Sequence, residues 1–470
     1  MKNNFKNNFI YVTCDQLLSL LLPLITAPYI ARVILADGIG IYSYYYSIAY
    51  YFVIFIMLGL VNYGNRSIAK VRDNKKELSK TFLSIYAFQF VIGFIITIFY
   101  LVFTKTQFNS IYPYTLLPFV ISAIFDVNWF FYGVEKFKLI TIRSISLKII
   151  SILCIFIFVK SQSDLPIYCL LLSLASLISN LIVWPYLLKY ITITPISFND
   201  IILHIKPNLM LFIPVISISL YQYMDKIMLG FISNMEQVGL YDSSQRWLII
   251  PLTIGTSFGT IMFPKMSNLI AKNINQEKVN KIIVSSLIFV MFLTIPITLG
   301  IMAIAKELIP WFLGNDFIPS ITLVYLLLPC SLFVAFSNVL KTQYIIPHNM
   351  DKTYISIVFT SATINFILNL LLIPMLSSLG ACISTLLTEF IVFILQFYFV
   401  NKQTKFIHNL KPILYLLSLG ILMFIVVFYI PIINNNLLLT IIFKVIIGAL
   451  IYLIPLSPVI KKMNKQSHLF

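Results

Sequence analysis

An ionisable side chain in the hydrocarbon core of a bilayer costs about 2.5–3.5 kcal/mol on insertion scales, so one that persists there faces a bundle interior or a wet cavity. Several interrupt the apolar runs of this chain. Arg246 and Glu389 fall near the middle of theirs, Asp15, Asp126 and Lys148 toward one end, Asp225 and Lys226 toward the other, and Arg32 closes the run TAPYIARVI at Thr26. The chemistry open to such groups is narrow. A guanidinium or ammonium holds an anion through charge-assisted hydrogen bonds, and a desolvated carboxylate carries a proton or binds a cation. Arg246 reads either as an anion-binding group or as half of a buried pair with Glu389 at matched depth. Arg32 sits so late in its run that snorkelling to the outer headgroups is one reading. Asp15, Asp126 and Lys148 form either a structural network or a proton or cation relay. The run YSYYYSIAYY from Tyr42, with Tyr46 at its centre, puts hydroxyl-bearing rings on every face of a helix. Some of them must face an interface or a lumen, where aromatic faces stack on sugars.

The elements that position these groups follow from composition. Of the 470 residues 60% are hydrophobic and 10% charged, with a mean hydropathy of +0.95, against roughly 25% charged in a soluble domain. A spanning helix needs about 20 mostly apolar residues, whereas a spanning strand shows a short alternating pattern, so the long runs here predict helices and exclude a barrel. They predict an all-α polytopic membrane protein with spans at 9–35, 39–64, 82–104, 112–134, 139–159, 165–190, 207–231, 237–264, 282–305, 318–340, 354–376, 379–400, 412–431 and 437–460. MKNNFKNN has the basic character of a signal peptide, but the run behind it is too long and contains Asp15, so it reads as a retained first span. Pro23 and Pro28 in the first helix and Pro214 in the seventh place bends, either as ordinary membrane-helix prolines or as parts of a gate.

Alternate loops counted from the N-terminus hold 25 Lys and Arg, and the opposite loops hold 4, namely Arg32, Lys105, Lys160 and Lys306. That asymmetry puts both termini in the cytoplasm and makes the net charge of +17 a matter of membrane topology, with no nucleic-acid partner required. The loop RSIAKVRDNKKELSK sets topology or binds anionic lipid heads. The five cysteines and four histidines are scattered, so no disulfide framework, metal site or cofactor is expected.

A repeat runs at an offset of about 200 residues. GIYSYYYS at Gly40 matches GLYDSSQR at Gly239, and LGLVNYGNRSIAKVRDNKKELSK at Leu58 echoes SFGTIMFPKMSNLIAKNINQEKVNK at Ser257. Six helices per repeat is an even number, so the halves are parallel. The expected organisation is an N-lobe at 1–195, a C-lobe at 196–405 and an extra helix pair at 406–470, with a site between the lobes as in transporter folds.

LPLITAPYIARVILADGIGIYS at Leu22, LGLVNYGNRSIAK at Leu58 with Arg66, and DVNWFFYGVEKFKLITIR at Asp126 with Trp129, Gly133 and Glu135 together resemble the Wzx-type oligosaccharide flippases of the multidrug, oligosaccharidyl-lipid and polysaccharide exporter superfamily. Ala36 and Asp37 depart from the Leu-Gly usual there. The resemblance implies two six-helix lobes around a cationic cavity, alternating access, and movement of undecaprenyl-pyrophosphate-linked repeat units to the outer leaflet for capsule, O-antigen or exopolysaccharide assembly. It implies a bacterial inner-membrane transporter with no catalytic residues, working in the bilayer beside polysaccharide polymerase machinery. Arg32 then becomes a pyrophosphate contact or an outer-gate residue. The candidate binding set is Arg32, Arg246, Lys226 and Tyr46, and the coupling set is Asp15, Asp126 and Lys148. A proton- or cation-coupled multidrug exporter of the same superfamily is the alternative, kept open by Asp15. A membrane-embedded polymerase is disfavoured by outer loops too short for an external catalytic platform.

Overall fold

The computed structural model describes residues 2–272, 275–404, 410–433 and 436–464; side chains at 2–17, 19–21, 221 and 457–464 lie outside that description, Asp15 among them. Among the described residues, twelve helices are long and apolar enough to cross a membrane. The pair Met235–Arg246 and Ile249–Ala271, bent by 46°, makes a thirteenth. The run Leu22–Val71 is 50 residues long, about 75 Å at the helical rise of ~1.5 Å per residue, and a bilayer core is only ~30 Å thick. It contains the break that separates the first two expected spans. At Leu35, φ 59° and ψ −178°, two helices meet within Lys2–Met57. Counted as two spans, this run brings the total to the fourteen that the hydropathy pattern predicts. The prolines at 23 and 28 sit inside helix, and the non-helical residue is Leu35.

The chain forms two compact units, Met1–Ile227 and Met228–Phe470. In the first, Asn74 caps Lys75–Gln107 by accepting from the backbone N–H groups of Lys76 and Glu77 at 3.1 and 3.3 Å. Phe94, Ile95, Ile98 and Phe99 of that helix are exposed, as expected of a face turned to hydrocarbon, where apolar exposure carries no penalty. Packing inside the unit depends on small residues. A Cβ on Gly64 would stand 2.5 Å from the ring of buried Trp129, so only glycine lets Leu60–Val71 lie flat against the indole. The N-terminal end of Phe198–Ile232 is tied to the unit by polar contacts: the Tyr63 hydroxyl meets His204 Nδ1 at 2.6 Å, Ser84 Oγ meets His204 Nε2 at 2.9 Å, and Lys80 pairs with Asp200 at 2.8 Å.

In the second unit, Asn234 and Asn275 cap Met235–Arg246 and Gln276–Phe312. The apolar core gathers on Gln276–Phe312, with Leu287, Val290 and Ile295 fully buried. Lys411–Phe428 and Leu437–Asn464 pack on this helix. Asp351–Leu376 turns into Ser378–Thr404 through Ser377 at φ 48°, and Gly380 lies so close to the Leu372 carbonyl that a side chain there would collide with backbone.

Candidate functional site

The helix that follows Leu35 carries Tyr42, Tyr46 and Tyr50 at a spacing of four, which stacks them along one face. Tyr42 meets Tyr168 edge-on at 5.1 Å and stacks on Tyr46 at 5.5 Å. Tyr46 stacks on Phe119 at 5.0 Å, and Tyr50 closes on Tyr223 at 4.3 Å. The Lys226 ammonium stands 5.8 Å from the centre of the Tyr223 ring, which also lies 6.4 Å from Tyr46. Asp225 is buried and acts electrostatically on Tyr51, whose hydroxyl donates to the Ser219 carbonyl at 3.2 Å. Tyr44 and Tyr45 turn instead toward Phe108, and Tyr45 also stacks on Tyr112. Of the rings expected around the helix, one file thus forms a column in the first unit with a cation at its end, and it joins Tyr46 to Lys226 through Tyr223. Such a column offers ring faces to sugar C–H groups and an ammonium to an anion. Tyr223 was missed from sequence, although it recurs one turn before Lys226.

Arg32 is exposed on the helix before Leu35, three residues past Tyr29, whose hydroxyl donates to the Val159 carbonyl at 2.6 Å. Asp126 sits where Leu117–Ile124 breaks and Asn128–Gly133 begins, its Oδ1 accepting from the Asn128 N–H at 2.9 Å, with Arg143 in electrostatic reach. Lys148 is half-buried on Phe137–Phe158, five residues past Arg143 and two past Ser146. The Asp15 side chain lies outside the described residues.

Of the motif residues Trp129, Glu135 and Arg66, the first is buried and the other two are exposed. Trp129 donates from Nε1 to Gln89 Oε1 at 3.1 Å and stacks on Phe82 at 5.5 Å. Glu135, at φ 58°, pairs with Arg72 at 2.6 Å on the surface, and this bond holds the guanidinium above its ordinary pKa. Arg66 is exposed.

In the second unit, Arg246 donates from Nε and Nη2 to Asp242 Oδ2 at 3.0 and 2.7 Å. The paired carboxylate is one turn back on the same helix, a DxxxR spacing legible in sequence. The guanidinium is 41% exposed and stands at the end of Met235–Arg246, immediately before the 46° bend. Glu389 acts electrostatically on Lys341 and Tyr354, with the Lys341 ammonium 6.0 Å from the Tyr354 ring. Lys341 opens a π-helical turn, Lys341–Ile345, a feature often found at functional sites. A buried pair was missed altogether: Lys444 Nζ to Glu307 Oε1 at 2.7 Å, with the side chains 1% and 7% exposed. Lys444 is a lone cation inside the span expected at 437–460, and that was the available signal.

Against known proteins, the model of a family described as polysaccharide biosynthesis protein matches residues 5–270. A candidate O-antigen transporter of Escherichia coli (strain K12) is 25% identical over 415 residues, 86% of this chain and 98% of that protein. A second protein so named, from Shigella dysenteriae, is 24% identical over 71% of this chain and 85% of its own length. Among solved structures, the lipid II flippase MurJ in an inward closed conformation superposes with a TM-score of 0.69 at 17% identity, over 97% of this chain and 99% of that one, and so shares the fold.

Proposed function

The chain belongs to the polysaccharide biosynthesis protein family, and from that premise we propose that it is a flippase, a membrane transporter and not an enzyme, for lipid-linked oligosaccharide. Its substrate in this reading is an undecaprenyl-pyrophosphate-linked repeat unit, carried from the cytoplasmic to the outer leaflet of a bacterial inner membrane for capsule, O-antigen or exopolysaccharide assembly. Both termini lie in the cytoplasm. Residues 1–195 and 196–405 act as the two lobes of an alternating-access carrier, with 406–470 as an added helix pair. The observation that carries the reading is similarity over 98% of a relative named for O-antigen transport.

The chemistry of the first unit supports it. A sugar headgroup needs stacking faces and hydroxyl partners in place of water, which the Tyr42–Tyr46–Tyr50 column supplies, and its pyrophosphate needs cations, for which Lys226 and Arg32 are the candidates in this unit; Arg246 is the candidate of the second unit. Polysaccharide polymerase machinery is the partner that would consume the product. The test is a deletion strain: lipid-linked repeat units should accumulate on the cytoplasmic side and surface polysaccharide should disappear. Complementation with Tyr46→Ala or Lys226→Ala should restore less than with the unaltered chain. Accumulation of an intracellular drug instead, with surface polysaccharide intact, would refute the assignment in favour of the exporter.

A further inference from the structure

The Phe137–Phe158 helix begins at a groove of about 800 Å³ in the first unit, which it shares with the segment from Ile182 to Tyr190. One end of the groove is basic. Lys136 and Lys138 are exposed, and Arg143 stands further along the same helix. Lys189 adds a fourth cation beside the rim, its ammonium 5.4 Å from the Tyr186 ring. The single acid lining the groove, Glu135, is held by Arg72 at 2.6 Å and so leaves the lysines uncompensated; Arg143 shares the field of Asp126. No side chain caps this 22-residue helix at Lys136, and its first backbone N–H groups add their partial positive charge to the same end.

The other end is apolar and open. Ile150 and Ile182 line it and are 51% and 41% exposed. A small anion has no use for that half, and a neutral lipid has none for the basic half. A molecule with a phosphate of net negative charge at one end and an acyl chain at the other matches both.

We propose that this groove binds an anionic phospholipid of the surrounding bilayer, its phosphate held by Lys136 and Lys138 and one acyl chain lying along Ile150 and Ile182. Basic pockets between membrane helices bind anionic headgroups by this combination of charge and apolar wall. The site does not depend on the flippase reading, since it uses neither the tyrosine column nor any transported molecule.

The test is native mass spectrometry of the purified full chain, titrated with phosphatidylglycerol or with phosphatidylcholine of the same acyl chains. The unaltered protein should retain phosphatidylglycerol preferentially. Lys136→Gln with Lys138→Gln, both exposed and so neutral to folding, should weaken that retention by roughly tenfold or more. Ile150→Trp, which fills the apolar half and leaves every charge in place, should weaken it as well, with an unchanged melting temperature in phosphatidylcholine reporting that both variants are folded. Equal retention of the two lipids overturns the proposal. So does loss of retention from Lys75→Gln with Lys76→Gln and not from the groove variants, because the loop before the Lys75–Gln107 helix would then be the site. Displacement of phosphatidylglycerol by equimolar polyprenyl pyrophosphate would also overturn it, by showing that the groove belongs to the transported lipid.

Discussion

Lys444→Met should be among the most destabilising single changes in this chain, although it replaces a charge in a membrane span by an apolar group of similar volume. The pair with Glu307 is 2.7 Å long and almost fully buried. At an effective dielectric of about 20 the Coulomb attraction across that distance is about 6 kcal/mol, opposed by a desolvation penalty of several kcal/mol for each ion, so the intact pair contributes little net stability. Removing one partner is different. Methionine at 444 leaves Glu307 with neither oxygen paired, since its Oε2 already makes no hydrogen bond, and breaking a buried pair in this way costs about 3–5 kcal/mol. Lys444→Met combined with Glu307→Leu removes both charges and should cost about 1–2 kcal/mol, the scale of a tolerated hydrophobic swap. The assay is denaturant titration in bicelles for the two single variants and the double, read as a double-mutant cycle. A double variant as unstable as the sum of its singles would refute the reasoning, because the two charges would then be contributing independently.

Reporter fusions after Lys75, Lys278 and Lys462 should all be cytoplasmic, as the basic loops require; an external signal at any one overturns the parity of spans. Arg246→Ala should reduce surface polysaccharide at least tenfold with normal expression, and Arg246→Lys should rescue only in part, because an ammonium cannot reproduce the two-point contact with Asp242 while offering further donors to an anion. Restoration of export by Asp242→Asn on top of Arg246→Ala would reduce Arg246 to a partner for Asp242. Gly64→Ala should destabilise by about 1–3 kcal/mol through its collision with Trp129; a melting temperature equal to that of the unaltered protein would show that the helix can shift. Flipping in vesicles should slow when an inside-negative potential is collapsed, since outward movement of an anion gains about 2.3 kcal/mol per charge per 100 mV. Equal rates at zero and clamped potential would exclude an electrogenic step.

Helix existence was legible because each span is a long apolar run, a signal that needs no tertiary information. Breaks were not. The first two spans were expected to part between residues 35 and 39, and the backbone leaves the helix at Leu35, but by one strained residue where a short loop was expected. The second helix of each repeat also breaks at a different place, after Met57 in one and at Trp247 and Leu248 in the other, which a shared motif could not disclose. Among the charges, depth along a helix is readable but azimuth is not. Arg246 was matched with Glu389 by depth, and depth did not single out Asp242, a partner one turn back on its own helix. Lys341 feels Glu389 electrostatically, although the two lie on different helices and far apart in sequence. The tyrosine column shows the converse. A fourfold spacing fixes which rings share a face, but the rings they meet, Phe119, Tyr168 and Tyr223, come from other helices and are visible only once those helices have packed.

The join at Leu35 also bears on how the chain enters a membrane. With a single non-helical residue between them, the first and second helices have no connecting segment that could wait on one side while the other leg is still emerging from the ribosome. In the orientation proposed from the basic loops, Asp37, exposed just beyond the join, crosses with its neighbours, and an isolated acid is costly to translocate. Two long apolar legs entering together as one hairpin offset that cost, whereas a first leg inserted alone would have to turn round Leu35 afterwards, inside the hydrocarbon. Biogenesis of this protein should therefore begin with a paired insertion of residues up to Met57, and truncation within the second helix should strand the first.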